Sequence, residues 1–264
     1  MKKLLLTMAI AGTAMTATTA IHAEETSPHS FSSNVGLFSS YVFRGIDYSD
    51  EDPALQGGFD YAHASGWYAG VWATTLEEGL NVGNSIEVDF YGGYYHQFTD
   101  DFGVDVGLLQ FYYPDNKKVP GLNGRSDEDF DTTEAYVAAT WKWFTAKYSR
   151  TLTDWGGVTS NTMGADANGD SKGTQYYELN FNYGLPMDFN LTAHIGRLDV
   201  ENYSDFDYTD YLIGVSKDFS LAGSEGWTVG VNYTDTNADK DWWPGVDGDN
   251  RGDSQFIGYV TRSF

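Results

Sequence analysis

The chain has no cysteine among its 264 residues, which removes any disulfide framework. It is poor in basic residues too, with 15 Lys and Arg against 38 Asp and Glu and a formal net charge of −23. Nucleic-acid affinity is built from Lys and Arg that neutralise phosphates, so this balance excludes nucleic acid as a partner and disfavours an anionic surface. Past residue 23 no run approaches the ~20 apolar residues that a membrane-spanning helix needs. Histidine is scarce, with His29, His63, His96 and His194 beyond that point. Neither a Gly-x-Ser-x-Gly elbow nor a His-Glu-x-x-His pair occurs. Nothing pairs a nucleophile with a positioned base, so the sequence predicts no enzyme and no cofactor. Two acidic loops, Asp166 to Asp170 and Asp247 to Asp253, resemble calcium loops, but the first has Ser171 where the sixth-position Gly belongs and neither has the closing Glu at the required distance, so no metal site is assigned to them.

What is present points to strands. Aromatics make up 16% of the chain, glycine occurs 30 times, and mean hydropathy is only −0.41. Tyr, Trp and Phe favour strands, while Gly and Asp favour turns. At the N-terminus Lys2 and Lys3 precede an apolar run from Leu4 to about Ala14, then small residues lead to Ala23. This is the pattern of a secretory signal peptide, residues 1–23, followed by one domain over residues 24–264. An exported chain with no spanning helix enters a membrane as strands, and the expected location is the outer membrane of a Gram-negative bacterium.

Period-2 alternation recurs along that domain. Val35, Leu37, Tyr41 and Phe43 alternate with Asn34, Gly36, Ser40 and Arg44, which predicts the first strand. The last stretch, Gln255 to Phe264, sets Phe256, Gly258, Val260, Arg262 and Phe264 on one face and stops on an aromatic residue. Between them the pattern predicts twelve strands, joined alternately by short turns and long polar loops. The fold class is therefore all-β, a transmembrane antiparallel β-barrel with short periplasmic turns and long extracellular loops. Aromatics sharpen the reading. Tyr61 and Trp67, Phe98 and Phe102, Trp141 and Phe144, Tyr183 and Phe189, Phe219 and Trp227 flank the short turns. Tyr41, Phe43, Tyr112, Tyr177, Tyr211, Tyr233 and Phe256 stand at the loop ends, giving the two interfacial belts of a lipid-facing barrel.

The segments SSYVFRGIDYS (Ser39 to Ser49), GWYAGVWATT (Gly66 to Thr75), IEVDFYGGY (Ile86 to Tyr94) and TAKYS (Thr145 to Ser149) resemble the TorF family of bacterial outer-membrane barrels. The Phe terminus is shared as well. The resemblance implies porin activity and says little about the solute. An acidic residue is usual in that family just before the Tyr of YVFRG, and here the position is Ser40. The terminal Phe264 also resembles the signal by which such proteins reach the barrel-assembly machinery.

Function is then read from the opposite, inward parity. Its predicted pore-lining residues are Arg44, Asp60, Glu87, Asp89, Tyr91, Asp105, Glu134, Tyr136, Glu178, His194, Asp210 and Tyr259. Arg44 is expected on the wall near the loops, among Glu87, Asp89, Glu134, Glu178 and Asp210, with Lys142 and Lys147 balancing acids nearer the turns. A ring of carboxylates in a narrow wet passage concentrates cations and repels anions. The sequence thus predicts a passive porin for small hydrophilic solutes, of cation or neutral preference, set among lipid and lipopolysaccharide. The alternative is a barrel plugged by its own side chains that acts through acidic surface loops as an adhesin or receptor.

Overall fold

The computed structural model describes residues 27–164 and 169–264. The expected signal peptide and most of the 166–170 loop lie outside the described residues. The wall is a closed antiparallel barrel of twelve strands. In chain order these are β1 (His29–Phe38), β2 (Ala54–His63), β3 (Trp67–Thr75), β4 (Ile86–Gln97), β5 (Phe102–Tyr112) and β6 (Thr132–Trp141). They continue with β7 (Phe144–Thr151), β8 (Gln175–Leu185), β9 (Phe189–Asp199), β10 (Tyr208–Leu221), β11 (Ser224–Thr236) and β12 (Gln255–Ser263). Each strand pairs with its chain neighbours, and β1 closes on β12 through Asn34 to Phe38 opposite Ser263 to Tyr259. Phe264 carries the ladder one step further, its amide donating to Ser33 O at 2.9 Å.

Short turns occupy one rim and long loops the other, as the alternation requires. The β10–β11 connection is a two-residue turn, Ala222 and Gly223, with φ of 52° and 80°. Two positive φ values in succession match the right-handed twist of the flanking strands.

The core lies inside the barrel and the large exposed side chains point outward, the reverse of a soluble domain. Phe59, Trp67, Val106, Leu108, Trp141, Ile213 and Phe264 are all exposed on the outer face. Among the paired aromatics, Trp67 meets Tyr94, Phe144 meets Phe181 and Phe219 meets Trp227 at the turn rim, with ring centroids 5.0–6.4 Å apart. Tyr112, Tyr177, Tyr211 and Phe256 are exposed at the loop rim.

The first strand differs from the sequence expectation. Strand β1 stops at Phe38, and residues 39–52 turn into the barrel instead of extending it. Val42–Phe43 pair with Ile46–Asp47 in a small hairpin of their own. Tyr41, Val42, Phe43, Arg44, Ile46 and Asp47 are all buried. Tyr41 and Phe43 are therefore lumen residues and not members of the outer aromatic belt. The physical reason is the tip. Arg44 and Gly45, with φ of 50° and 78°, form the same kind of two-residue turn, which reverses the chain where a wall strand would have to run on.

Candidate functional site

The inner hairpin spans the lumen. Its tip residue Arg44 reaches Glu134 on β6, donating from both terminal nitrogens to both carboxylate oxygens at 2.8 Å. Its guanidinium lies over the Phe43 ring at 4.7 Å and the Tyr176 ring at 4.1 Å. Gly45 abuts β10 and β11: a Cβ there would stand 2.5 Å from the Asp210 Cβ and 3.3 Å from that of Thr236. Both the positive φ and the lack of space restrict this position to glycine.

Asp47 organises the base of the hairpin. Its carboxylate accepts from Ser40 Oγ at 2.8 Å, the Ser49 amide at 2.7 Å, the Glu51 amide at 2.9 Å and Gln255 Nε2 at 3.1 Å. Neighbouring loops hold it from outside. The amide of Asn81 and the backbone of Glu77 donate to Tyr48 O at 2.9 Å, and Asp47 N donates to Arg251 O at 2.9 Å. The Arg251 guanidinium covers the Tyr48 ring at 4.5 Å.

Side chains from the wall fill the space on both sides of the hairpin. Tyr41 and Phe43 pack with Tyr68, Trp72, Tyr91, Leu109, Phe111 and Tyr113. Ile46 packs with Tyr176, Leu198, Val200, Tyr203, Tyr208 and Trp243. The loop half of the lumen is thus dry and aromatic, with carboxylates embedded in it.

Every predicted site residue on the barrel strands does face inward, but their partners differ from expectation. Glu87 accepts from the Tyr41 and Tyr113 hydroxyls at 2.6 and 2.5 Å. Asp210 accepts from the Tyr176 hydroxyl at 2.9 Å. His194 has both ring nitrogens engaged, Nε2 with Asp210 Oδ1 at 2.9 Å and Nδ1 with Asn180 Oδ1 at 2.7 Å. Lys147 approaches Glu178 at 3.5 Å and lies over the Tyr136 ring at 4.7 Å. Nearer the turns, Asp105 accepts from the Tyr68 hydroxyl at 2.7 Å, and Asp60 from that of Tyr91. Tyr259 stacks on Phe38 with ring centroids 5.1 Å apart.

Two placements are corrected. Arg44 is on the crossing hairpin and not on the wall, because the Arg-Gly pair makes a turn. Lys142 does not balance inward acids. It occupies the β6–β7 turn with φ of 56°, where Nζ lies 3.9 Å from Asp101 and 5.4 Å from the Trp141 ring centroid. Sequence reasoning also missed Asp47 and the inward pair Tyr68 and Tyr176. The first was hidden because an Asp beside Tyr and Ser reads as loop. The other two sit on wall strands, where period-2 alternation reports the face of a side chain and not its partner.

Four tyrosines of the wall share one arrangement. Tyr91 lies opposite Gly70, Tyr68 opposite Gly93, Tyr136 opposite Gly107 and Tyr259 opposite Gly230. In each case a Cβ on the glycine would collide with the tyrosine ring. The glycine leaves a flat patch on which the ring lies down against the wall instead of standing across the lumen.

A family model described as a bacterial protein of unknown function (Gcw_chp) matches residues 22–264. No curated protein matches the sequence. Among solved structures the chain is similar to the KdgM porin in complex with disordered oligogalacturonate, with a TM-score of 0.53 and 8% identity over 89% of this chain and 98% of that one. It is also similar to the NanC porin in a rhombohedral crystal form, with a TM-score of 0.50 and 13% identity over 89% of this chain and 99% of that one. At such identities the likeness is one of fold.

Proposed function

The chain belongs to the Gcw_chp family, whose description assigns no function, and we propose that it is an outer-membrane channel for small hydrophilic solutes that prefers cations or neutral molecules. The observation that carries this reading is the opposition of the two barrel faces. Val, Leu, Ile and aromatic side chains cover the outside, while carboxylates line the inside. A signal peptide over residues 1–23, delivery by the assembly machinery through the strand ending at Phe264, and a lipopolysaccharide surround belong to the same reading. The resemblance to the TorF family adds support for porin activity.

An acidic oligosaccharide of the oligogalacturonate kind is not the solute this lumen favours. Asp60, Glu87, Asp89, Asp105, Glu134, Glu178, Asp210 and Asp218 face inward, with Arg44 and Lys147 as the bases beside them, and anions would be repelled.

The inner hairpin favours a second reading, a barrel closed at its loop half that acts through its acidic loops as an adhesin or receptor. Planar-bilayer recording of the purified, folded protein separates the two. Conductance steps in the wild type support a channel, and steps that appear only in Arg44→Ala/Glu134→Ala, with the crossing released, identify the hairpin as a plug and favour the closed form. Silence of the wild type, with a folded barrel, overturns it in favour of the closed form.

A further inference from the structure

Of the four histidines beyond residue 23, His29, His63 and His96 lie at the turn rim on the outward face, and the first two are partners. His29 on β1 stands directly opposite His63 on β2 in the ladder, with ring centroids 5.1 Å apart. In each ring Nδ1 is engaged. His29 Nδ1 lies 2.9 Å from the Tyr61 hydroxyl, and His63 Nδ1 lies 2.6 Å from Ser65 Oγ and 3.2 Å from the Ser65 amide. Among the described residues no hydrogen bond reaches either Nε2.

One nitrogen held by a hydroxyl and the other open is the state of a histidine ready to ligate a metal. A metal bonded to both Nε2 atoms at ~2.0–2.1 Å would sit about 3.2 Å from each ring centroid. With the centroids 5.1 Å apart, the angle between the two bonds is then about 105°, close to tetrahedral. Imidazole pairs suit zinc, nickel and copper, whereas calcium and magnesium take oxygen ligands. No group of three or more His, Asp or Glu among the described residues is arranged to hold a metal, so water would complete this two-histidine site. The chain's net charge of −23 draws dications toward it.

The position gives the pair a consequence for the fold. Residues His29–Ser32 of β1 pair with β2 alone, because β12 ends with Phe264 opposite Ser33. The two histidines form the outermost rung of that one-sided ladder, the end most free to fray. We propose that His29 and His63 are a site for a divalent metal of the zinc class, which clasps the start of β1 to β2. The clasp stands apart from the channel reading and is tested without conduction.

Zinc chloride is titrated calorimetrically into the full chain folded in detergent, with magnesium in excess to occupy the acidic loops. The wild type should bind one zinc, and its urea midpoint should rise with zinc and fall back on chelation. His29→Ala and His63→Ala should each lose both effects, while His96→Ala, at the same rim, should keep them. Tyr61→Phe removes the hydroxyl that orients His29 and should need about tenfold more zinc. Undiminished zinc affinity in His29→Ala, or displacement of the zinc by calcium, would overturn the site. Zinc binding that leaves the midpoint unchanged would overturn the clasp. The unheated gel band verifies that each variant folds, and should His63→Ala fail to fold, His29→Ala at the free end decides.

Discussion

Gly230 and Tyr259 face each other across β11 and β12, and the three nearest atoms that a Cβ at Gly230 would meet all belong to the Tyr259 side chain. Gly230→Val should therefore destabilise the barrel through overpacking, by about 1–3 kcal/mol in urea refolding. Adding Tyr259→Ala should recover part of that loss, because the clash is with the ring and not with backbone. No recovery in the double variant would mean that the glycine serves the strand and not the ring. Arg44 and Glu134 give the opposite kind of pair, two charges that depend on each other away from water. Arg44→Met should cost about 3–5 kcal/mol by leaving Glu134 buried and unpaired. Arg44→Met/Glu134→Met should restore most of it, since a buried ion pair replaced by apolar side chains is often neutral. A double variant as unstable as the single would show that the hairpin depends on stacking over Phe43 and Tyr176 instead.

Strand β12 and the inner hairpin are the two elements that shape the barrel, one by closing it and the other by crossing it. Phe264 extends the β1–β12 ladder through Ser33, and Arg262 lies over its ring at 4.5 Å and over Trp227 at 5.1 Å. Arg262 is thus part of the turn-rim belt. Deleting Phe264 should slow or prevent assembly, read as loss of the faster-migrating unheated band on a gel. An unchanged folded fraction would show that the strand ends its work at Ser263. The wall strands were legible in the sequence because period-2 alternation is a direct consequence of two unlike solvents on the two faces. The hairpin was not, because Tyr41 and Phe43 keep the parity of Val35 and Leu37 and so imitate a continued strand. The Arg44-Gly45 pair was the available signal. What completes the element is Asp47, a common acceptor for Ser40, Ser49 and Glu51 close by in the chain and for Gln255, 208 residues away, and only the last of these ties the hairpin to the wall.

At the scale of the molecule the lumen divides into two electrostatic zones. In the loop half the carboxylates are dry and engaged, Glu134 by Arg44 and Glu87 by tyrosines, with Asp89 as the exception. Nearer the turns Asp60, Asp105 and Asp218 are only partly buried, and their partners Tyr91, Tyr68, Asn190 and Thr228 are neutral. Lys147 offsets part of the charge at Asp105, and no hydrogen-bond partner of Asp60 or Asp218 offsets theirs. Screening at 0.1 M salt acts over ~10 Å, comparable to the radius of a narrow barrel, so a permeant ion crossing that zone cannot avoid the field. Selectivity should follow from these three residues more than from the loop-end acids on which the sequence first drew attention. In a salt gradient the reversal potential should favour cations, and the preference should weaken as salt is raised. Asp60→Asn/Asp105→Asn/Asp218→Asn should reduce it while leaving the folded band intact, because an asparagine oxygen can still accept from each neutral partner. The conservative pair change Glu87→Gln/Glu134→Gln should alter it less, since its charges already lie behind the hairpin. The reverse ranking would move the filter to the crossing, and an anion-selective wild type would remove the carboxylates from the account of permeation altogether.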